Sequence, residues 1–247
     1  MSRRNDISDL LSGWPYEPDE IQARLVTGAD GRELLQMRVD MGVLQLEVNN
    51  RPDGVRPRGS PTYLDYLRAV VAREGDEYVL TAEECGEADR EFVQFYHRRI
   101  CWLALRKFRK AVADADHTLE MMDLVKAHSP DEQWTLSHEQ YRPFVLFHRI
   151  QAGALATLEE KGPDAAIGEI NTGLERFREL FEQYDAAEKY NEDEMVRRLE
   201  ELKESMREHY QVGRTLDEQL AQAVAEEKYE LAAQLRDLIA KRQVRGR

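Results

Sequence analysis

The chain has 247 residues and 28.7 kDa, with 35 Lys and Arg against 48 Asp and Glu, a formal charge of −13. Roughly 150 residues per domain suggests one or two domains. Charged residues reach 34%, above the usual ~25%, with only 14 Gly and 8 Pro, which suits helices with solvated outer faces. The acidic excess argues against broad contact with nucleic acid or an anionic membrane, since both are polyanions. Two cysteines, Cys85 and Cys101, are too few for a disulfide framework or a four-Cys zinc site and point to a reducing compartment. No apolar h-region follows the basic start, and no apolar run approaches about 18 residues. Neither a signal peptide nor a membrane span is expected, and the expected location is the cytoplasm.

Residues 1–20 are polar, with isolated Leu10, Leu11, Trp14 and Tyr16, and read as a flexible arm. Ile21, Ala23 and Leu25 then alternate with polar residues, as do Leu35, Met37, Val39 and Met41 after the turn 28–31. Period two with Gly-rich punctuation predicts antiparallel strands. At Gly42 the parity flips to Leu44, Leu46 and Val48, and a bend or bulge at Met41–Gly42 would absorb the extra residue. The expectation is a three-stranded antiparallel meander over about 21–49, within a segment 21–59 ended by a Pro- and Gly-rich loop. Such a sheet has one face to bury. It serves either as a structural cap on the helices or as a docking edge for a partner strand.

From residue 60 the pattern is helical. Ser60-Pro61 reads as an N-cap followed by proline. Thr81…Glu84, Ser137…Gln140, Asn191…Glu194 and Thr215…Glu218 read as capping boxes. These signals predict helices near 61–74, 82–106, 109–127, 138–160, 164–184 and 191–210, with two more at the end. Tyr96-His97-Arg98 and Phe147-His148-Arg149 stand 51 residues apart, and Ala111-Val112 matches Ala166-Ile167 at 55, suggesting a duplicated helical hairpin. Within Leu105–Asp123, Phe108 followed by Ala111 and a periodic second helix resembles the middle of a tetratricopeptide repeat. Leu105 replaces the usual small residue, and the units exceed the ~34-residue period. Residues 60–210 are therefore read as a body of stacked helical hairpins, with a plain helical bundle as the alternative.

Motifs of chemistry are sparse. His117…Glu120 could be half a metal site, but two-metal bundles need such pairs on several helices and no second pair appears. His97 and His148, each between an aromatic and an arginine, read as inter-helix hydrogen-bonding residues; an enzyme built on them would need a pocket lined by both. There is no GxxxxGK[ST], GxGxxG or GxSxG. Acidic clusters such as Glu83-Glu84 and Glu192-Asp193-Glu194 fall at helix N-termini, where the helix dipole favours them. No catalytic residue, cofactor or metal is expected.

The C-terminus is the most specific segment. Leu216, Leu220, Ala223 and Val224 form an apolar stripe, residues 226–228 can turn, and Tyr229, Ala232, Ala233, Leu235 and Ile239 belong to a second helix. Small Ala232 and Ala233 permit close helix approach. Met195, Leu199, Leu202 and Met206 recur at spacings of four, three and four, a short seam that either packs on the body or forms a stalk. Residues 211–213 read as a hinge, and 243–247 as a basic tail. Residues 185–247 hold 15 acidic and 12 basic side chains, a charge of −3, so −10 lies on the first 184 residues.

Residues 213–242 resemble the UVR motif, the helical hairpin shared by the excision-repair subunits UvrB and UvrC and found in Clp-type unfoldase subunits and their adaptors. The matching residues are Tyr229-Glu230, Ala232-Ala233, Leu235-Arg236-Asp237 and Ile239, with Glu227 where the family often has Leu. The resemblance implies protein–protein docking, with Leu216, Leu220, Tyr229, Ala232, Ala233, Leu235, Arg236, Asp237 and Ile239 as partner-binding residues. The expected protein is a mainly α chain with a small N-terminal β-meander (α+β), a non-enzymatic bacterial adaptor that docks either another protein, such as one with its own UVR motif, or a second copy. An accessory factor of nucleotide excision repair or of a Clp-type protease or unfoldase is the alternative. Neither direct nucleic-acid contact nor membrane contact is expected.

Overall fold

Three antiparallel strands in chain order open the fold: β1 (Ala23–Thr27), β2 (Glu33–Val39) and β3 (Gly42–Glu47). The computed structural model describes residues 6–245, with side chains to Lys241; of the expected basic tail 243–247, residues 243–245 belong to the last helix and 246–247 lie outside the described residues. Ala23 pairs with Met37 and Leu25 with Leu35; Leu35 then pairs with Leu46 and Met37 with Leu44. Cross-strand partners share a face, so these residues form one apolar layer, and the sheet packs on helix α3 (Ala82–Ala104). The parity flip needs no bulge. Val39 pairs with Gly42, and Asp40-Met41 is a two-residue turn that joins odd positions of β2 to even positions of β3.

β2 is buried on both faces. The second face carries a polar row in register: Arg24 Nε donates to Gln36 Oε1 at 3.0 Å, and Gln36 Nε2 donates to Gln45 Oε1 at 3.1 Å. The N-terminal segment, with a short helix α1 (Ser8–Ser12), contributes cover to this face. The Arg24 guanidinium lies 4.1 Å from the Trp14 ring, and Arg38 Nε donates to the Trp14 carbonyl at 2.8 Å. The rest of the Arg38 guanidinium is spent on the turn, on the carbonyls of Val39, Asp40 and Gly42.

The remaining helices are α2 (Tyr63–Glu74), α4 (Phe108–Ala127), α5 (Glu132–Glu139), α6 (Arg142–Lys161), α7 (Pro163–Gln183), α8 (Glu194–Tyr210), α9 (Leu216–Ala225) and α10 (Tyr229–Arg245). Three starts differ from the sequence reading. α2 is capped by Thr62, which accepts from Asp65 N, because Ser60-Pro61 is extended. The Ser137 box does not form. Asp131 caps α5 by accepting from Trp134 N at 2.8 Å, and Ser137 lies inside that helix. The predicted helix 138–160 is thus two helices, and Pro143, with no N–H to donate, sits in the first turn of the second. α8 is capped by Asp193 rather than Asn191, after a 3-10 segment, Ala187–Glu192. The Thr81 and Thr215 capping boxes form as read.

Contacts divide the chain into two units, 1–152 and 153–247, with the boundary inside α6. The first unit is the sheet with α2–α5 and the start of α6. Its core includes Leu64, Leu67, Ala88, Met121 and Val125. Several of its buried polar groups are bonded to one another or to backbone groups. Glu91, 1% exposed, accepts from Tyr63 N at 2.7 Å and Leu64 N at 3.0 Å, so a carboxylate from α3 satisfies two orphan donors of α2. Arg98 forms a bidentate pair with Asp114, at 2.9 and 2.7 Å, and reaches the carbonyls of Glu47 and Asn50.

The second unit is built on α7 and α8. Ile167, Ile170, Leu174 and Phe177 recur on one face of α7 and are buried, as are Val196, Leu199 and Met206 on α8. The Met195–Met206 seam therefore packs on α7, the first of its two readings. Gly153 brings α6 close to α7: a Cβ there would stand 2.9 Å from Glu169 Oε1. No described helix is long and apolar enough to cross a membrane.

Candidate functional site

The α9–α10 hairpin begins at a closed capping box. Thr215 Oγ1 accepts from Glu218 N at 3.3 Å, and Glu218 Oε2 accepts from Thr215 N at 2.8 Å. Glu218 also accepts from Asn171 Nδ2 of α7 at 2.9 Å and pairs with Arg207 of α8. Burial alone would raise the Glu218 carboxyl, but the hydrogen bonds from Asn171 and Thr215 and the Arg207 charge hold it below its usual value. One carboxylate thus starts the hairpin and ties it to α7 and α8. The preceding hinge is a left-handed C-cap at Gln211, φ 54°.

The turn is a Schellman arrangement: Lys228 N donates to Ala223 O at 2.8 Å, Glu227 N donates to Val224 O at 3.0 Å, and Glu227 holds φ 57°. Glu227 itself is exposed. After the turn α10 runs back along α9.

The nine residues assigned to partner binding fall into two groups. Ala223, Ala232 and Leu235 form a small closed core, with Leu216 and Leu220 half-buried against it. Ile239, one turn beyond Leu235, is half-buried too. These residues hold α9 to α10. Leu216, Leu220, Ala232 and Leu235 thus contribute to the hairpin's own interface. Tyr229, Ala233, Arg236 and Asp237 are exposed, Tyr229 at 68%. Tyr229, Ala233 and Arg236 recur at spacings of four and three and so share one face. Arg236 and Asp237 stand 3.8 Å apart in solvent, too exposed for much mutual stabilisation.

Sequence reasoning missed Leu231 and Leu238, seven residues apart on α10 and 44% and 51% exposed. Their spacing was the available signal. Val224, read into the inner stripe, is 52% exposed.

In the first unit, a cleft of about 830 Å³ opens between α3, α4, α5 and the start of α6. It is lined by His97 and His138 but not by His148. His148 lies behind Arg99, whose Nε points at its Nδ1 over 3.4 Å. Burial first, and the Arg99 charge second, push His148 down to about 4, and burial also lowers His97. His138 Nε2 meets Asp89 at 2.8 Å. His117 stacks on Phe95 with ring centres 3.6 Å apart and meets Glu91 at 2.9 Å, while Glu120 pairs with Arg68, so the suspected half-site is split between partners. Among the described residues, no group of three or more His, Cys, Asp or Glu could hold a metal ion. The duplicated His-Arg pairs do not bond alike: Arg98 reaches forward to Asp114, whereas Arg149 reaches back to Asp116 at 3.0 Å.

Compared with known proteins, residues 214–243 match the family model of the UvrB/uvrC motif. No curated protein and no solved structure matches the chain.

Proposed function

We propose that the chain is a non-enzymatic adaptor that docks a partner protein, or a second copy, through the outward faces of the α9–α10 hairpin. The carrying observation is the division of its apolar residues. The small core of Ala223, Ala232 and Leu235 closes the hairpin and leaves Val224, Tyr229, Leu231 and Leu238 in water. Exposed apolar side chains gathered on one short element mark interaction surfaces, and Tyr is a frequent anchor in them. The match to the UvrB/uvrC motif supports the same reading and favours a partner with a similar hairpin, in excision repair or a Clp-type assembly. The buried, unpaired thiols Cys85 and Cys101 fit a reducing bacterial cytosol.

The test is affinity purification from the native cell of the full chain and of a chain lacking residues 213–247. Loss of the captured partners on deletion is expected; retention of every partner would overturn the reading. Salt-dependent DNA binding by the purified chain would instead favour a direct role in repair.

A further inference from the structure

Arg99 breaks the pattern of its neighbours. Arg51 reaches Asp53, Glu87 and Glu91, and Arg98 takes both oxygens of Asp114. Arg99 is as buried as they are, at 1% exposed, yet no carboxylate among the described residues lies within ion-pairing distance of it. Its Nη1 donates to Thr118 Oγ1 at 3.0 Å, and its Nε faces the neutral His148 ring. Burial lowers Arg99 to about 10, so it keeps its charge at neutral pH. A buried charge normally comes with a counter-charge.

The Asp114 charge acts on Arg99 only from beyond contact, and the absence of a contacting carboxylate coincides with a cleft. Arg99 and Thr118 both line the 830 Å³ cleft, whose other walls are mainly apolar: Phe92, Val93, Tyr96, Met122, Phe144 and Val145. That volume falls in the range of roughly 300–1,000 Å³ common to small-molecule sites, as does an apolar lining with few convergent polar groups. Asp89, the carboxylate on the lining, is already engaged by His138 and by Trp134 Nε1 at 3.0 Å. It would repel a second negative charge. The Thr118 hydroxyl, which accepts from Arg99, already donates its proton to the Asp114 carbonyl at 2.8 Å, so the guanidinium is the donor left for a ligand, and one guanidinium suits a single planar anion better than a dianion.

We propose that this cleft binds a small monocarboxylate with an apolar or aromatic body, its carboxylate on Arg99 and its body against Phe92, Tyr96 and Phe144. This site is separate from the hairpin, and its test involves no partner protein.

The experiment is calorimetric titration of the full chain with 1-naphthoate and decanoate, and with their neutral amides. Binding of a carboxylate at one site per chain is expected, with the matching amide at least tenfold weaker. Arg99→Met should abolish the difference, but it removes a buried side chain and can unfold the protein. Val93→Trp avoids this, because Val93 is 55% exposed on the cleft wall. It should weaken carboxylate binding at least tenfold with an unchanged melting temperature. No carboxylate binding, equal binding of the amides, or undiminished binding by Val93→Trp would each overturn the proposal. So would tighter binding of an apolar peptide than of either acid, or self-association that Val93→Trp alone removes, which would assign the cleft to a peptide or a second copy.

Discussion

The first unit and the C-terminal hairpin place their charges oppositely. In the first unit Glu91, Arg98 and Asp114 are buried and bonded to one another or to backbone groups, so helix starts and strand ends are fixed by ionic contacts in the interior. In the hairpin, apart from Glu218 at its start, the charges stand in water and the interior is two alanines and a leucine. Buried charges penalise any arrangement that leaves them unpaired. A minimal apolar core sets helix pairing and little else, and leaves the outer faces for another surface.

The sharpest way to break this comparison is Asp114→Ala. It leaves Arg98 buried without its partner and should cost about 3–5 kcal/mol. All three tryptophans, Trp14, Trp102 and Trp134, lie in the first unit, so urea unfolding followed by tryptophan fluorescence reads that unit directly. A loss below about 1 kcal/mol would deny the ionic network its role. In the hairpin, Leu235→Ala should cost about 2 kcal/mol. It would be seen as faster hydrogen exchange across residues 216–241, with the tryptophan transition unmoved.

Acid should separate the two regions. His148 titrates near 4 when folded against 6.5 unfolded, so protonation favours the unfolded chain. Its stabilisation is complete above pH 6.5 and is lost as pH falls toward 4, on the order of 2 kcal/mol by pH 5. Glu218, held below its ordinary 4.5, loses its contribution only as pH falls below that value. Tryptophan-monitored stability should therefore decline from pH 6.5 downward while exchange protection in the hairpin persists to about 4.5. The reverse order would contradict the assignment.

Tyr229→Ala tests the outward face. Partner affinity should fall by about 2 kcal/mol, while stability changes by no more than about 0.5 kcal/mol, because the ring is mostly in water. The smallest effect is Thr215→Ala, which removes the hairpin's cap and should cost about 1 kcal/mol, measured by exchange in α9.

The sequence disclosed elements better than partners. Period two revealed the three strands, and Thr81…Glu84 and Thr215…Glu218 revealed two helix starts, because these signals are local. Ser60, Ser137 and Asn191 misled for a related reason. Thr62, Asp131 and Asp193 nearby are equally good caps, and the choice rests on where the chain is extended. The motif located the hairpin, but motif residues include those that build it as well as those it offers. Telling Leu235 from Tyr229 required knowing which side meets α9. Arg99 was beyond reach from sequence, since its lack of a carboxylate depends on Asp114 being spent on Arg98.

The reach of Arg98 also has a consequence in time. Its guanidinium joins Asp114, 16 residues away, to the carbonyls of Asn50 and Glu47, 48 and 51 residues away in the opposite direction. The α3–α4 pairing is local and closes early, whereas the sheet end must be brought in across a long loop. Locking the meander onto α3 is therefore expected as a late step. Weakening the Arg98–Asn50 contact should speed unfolding far more than it slows folding.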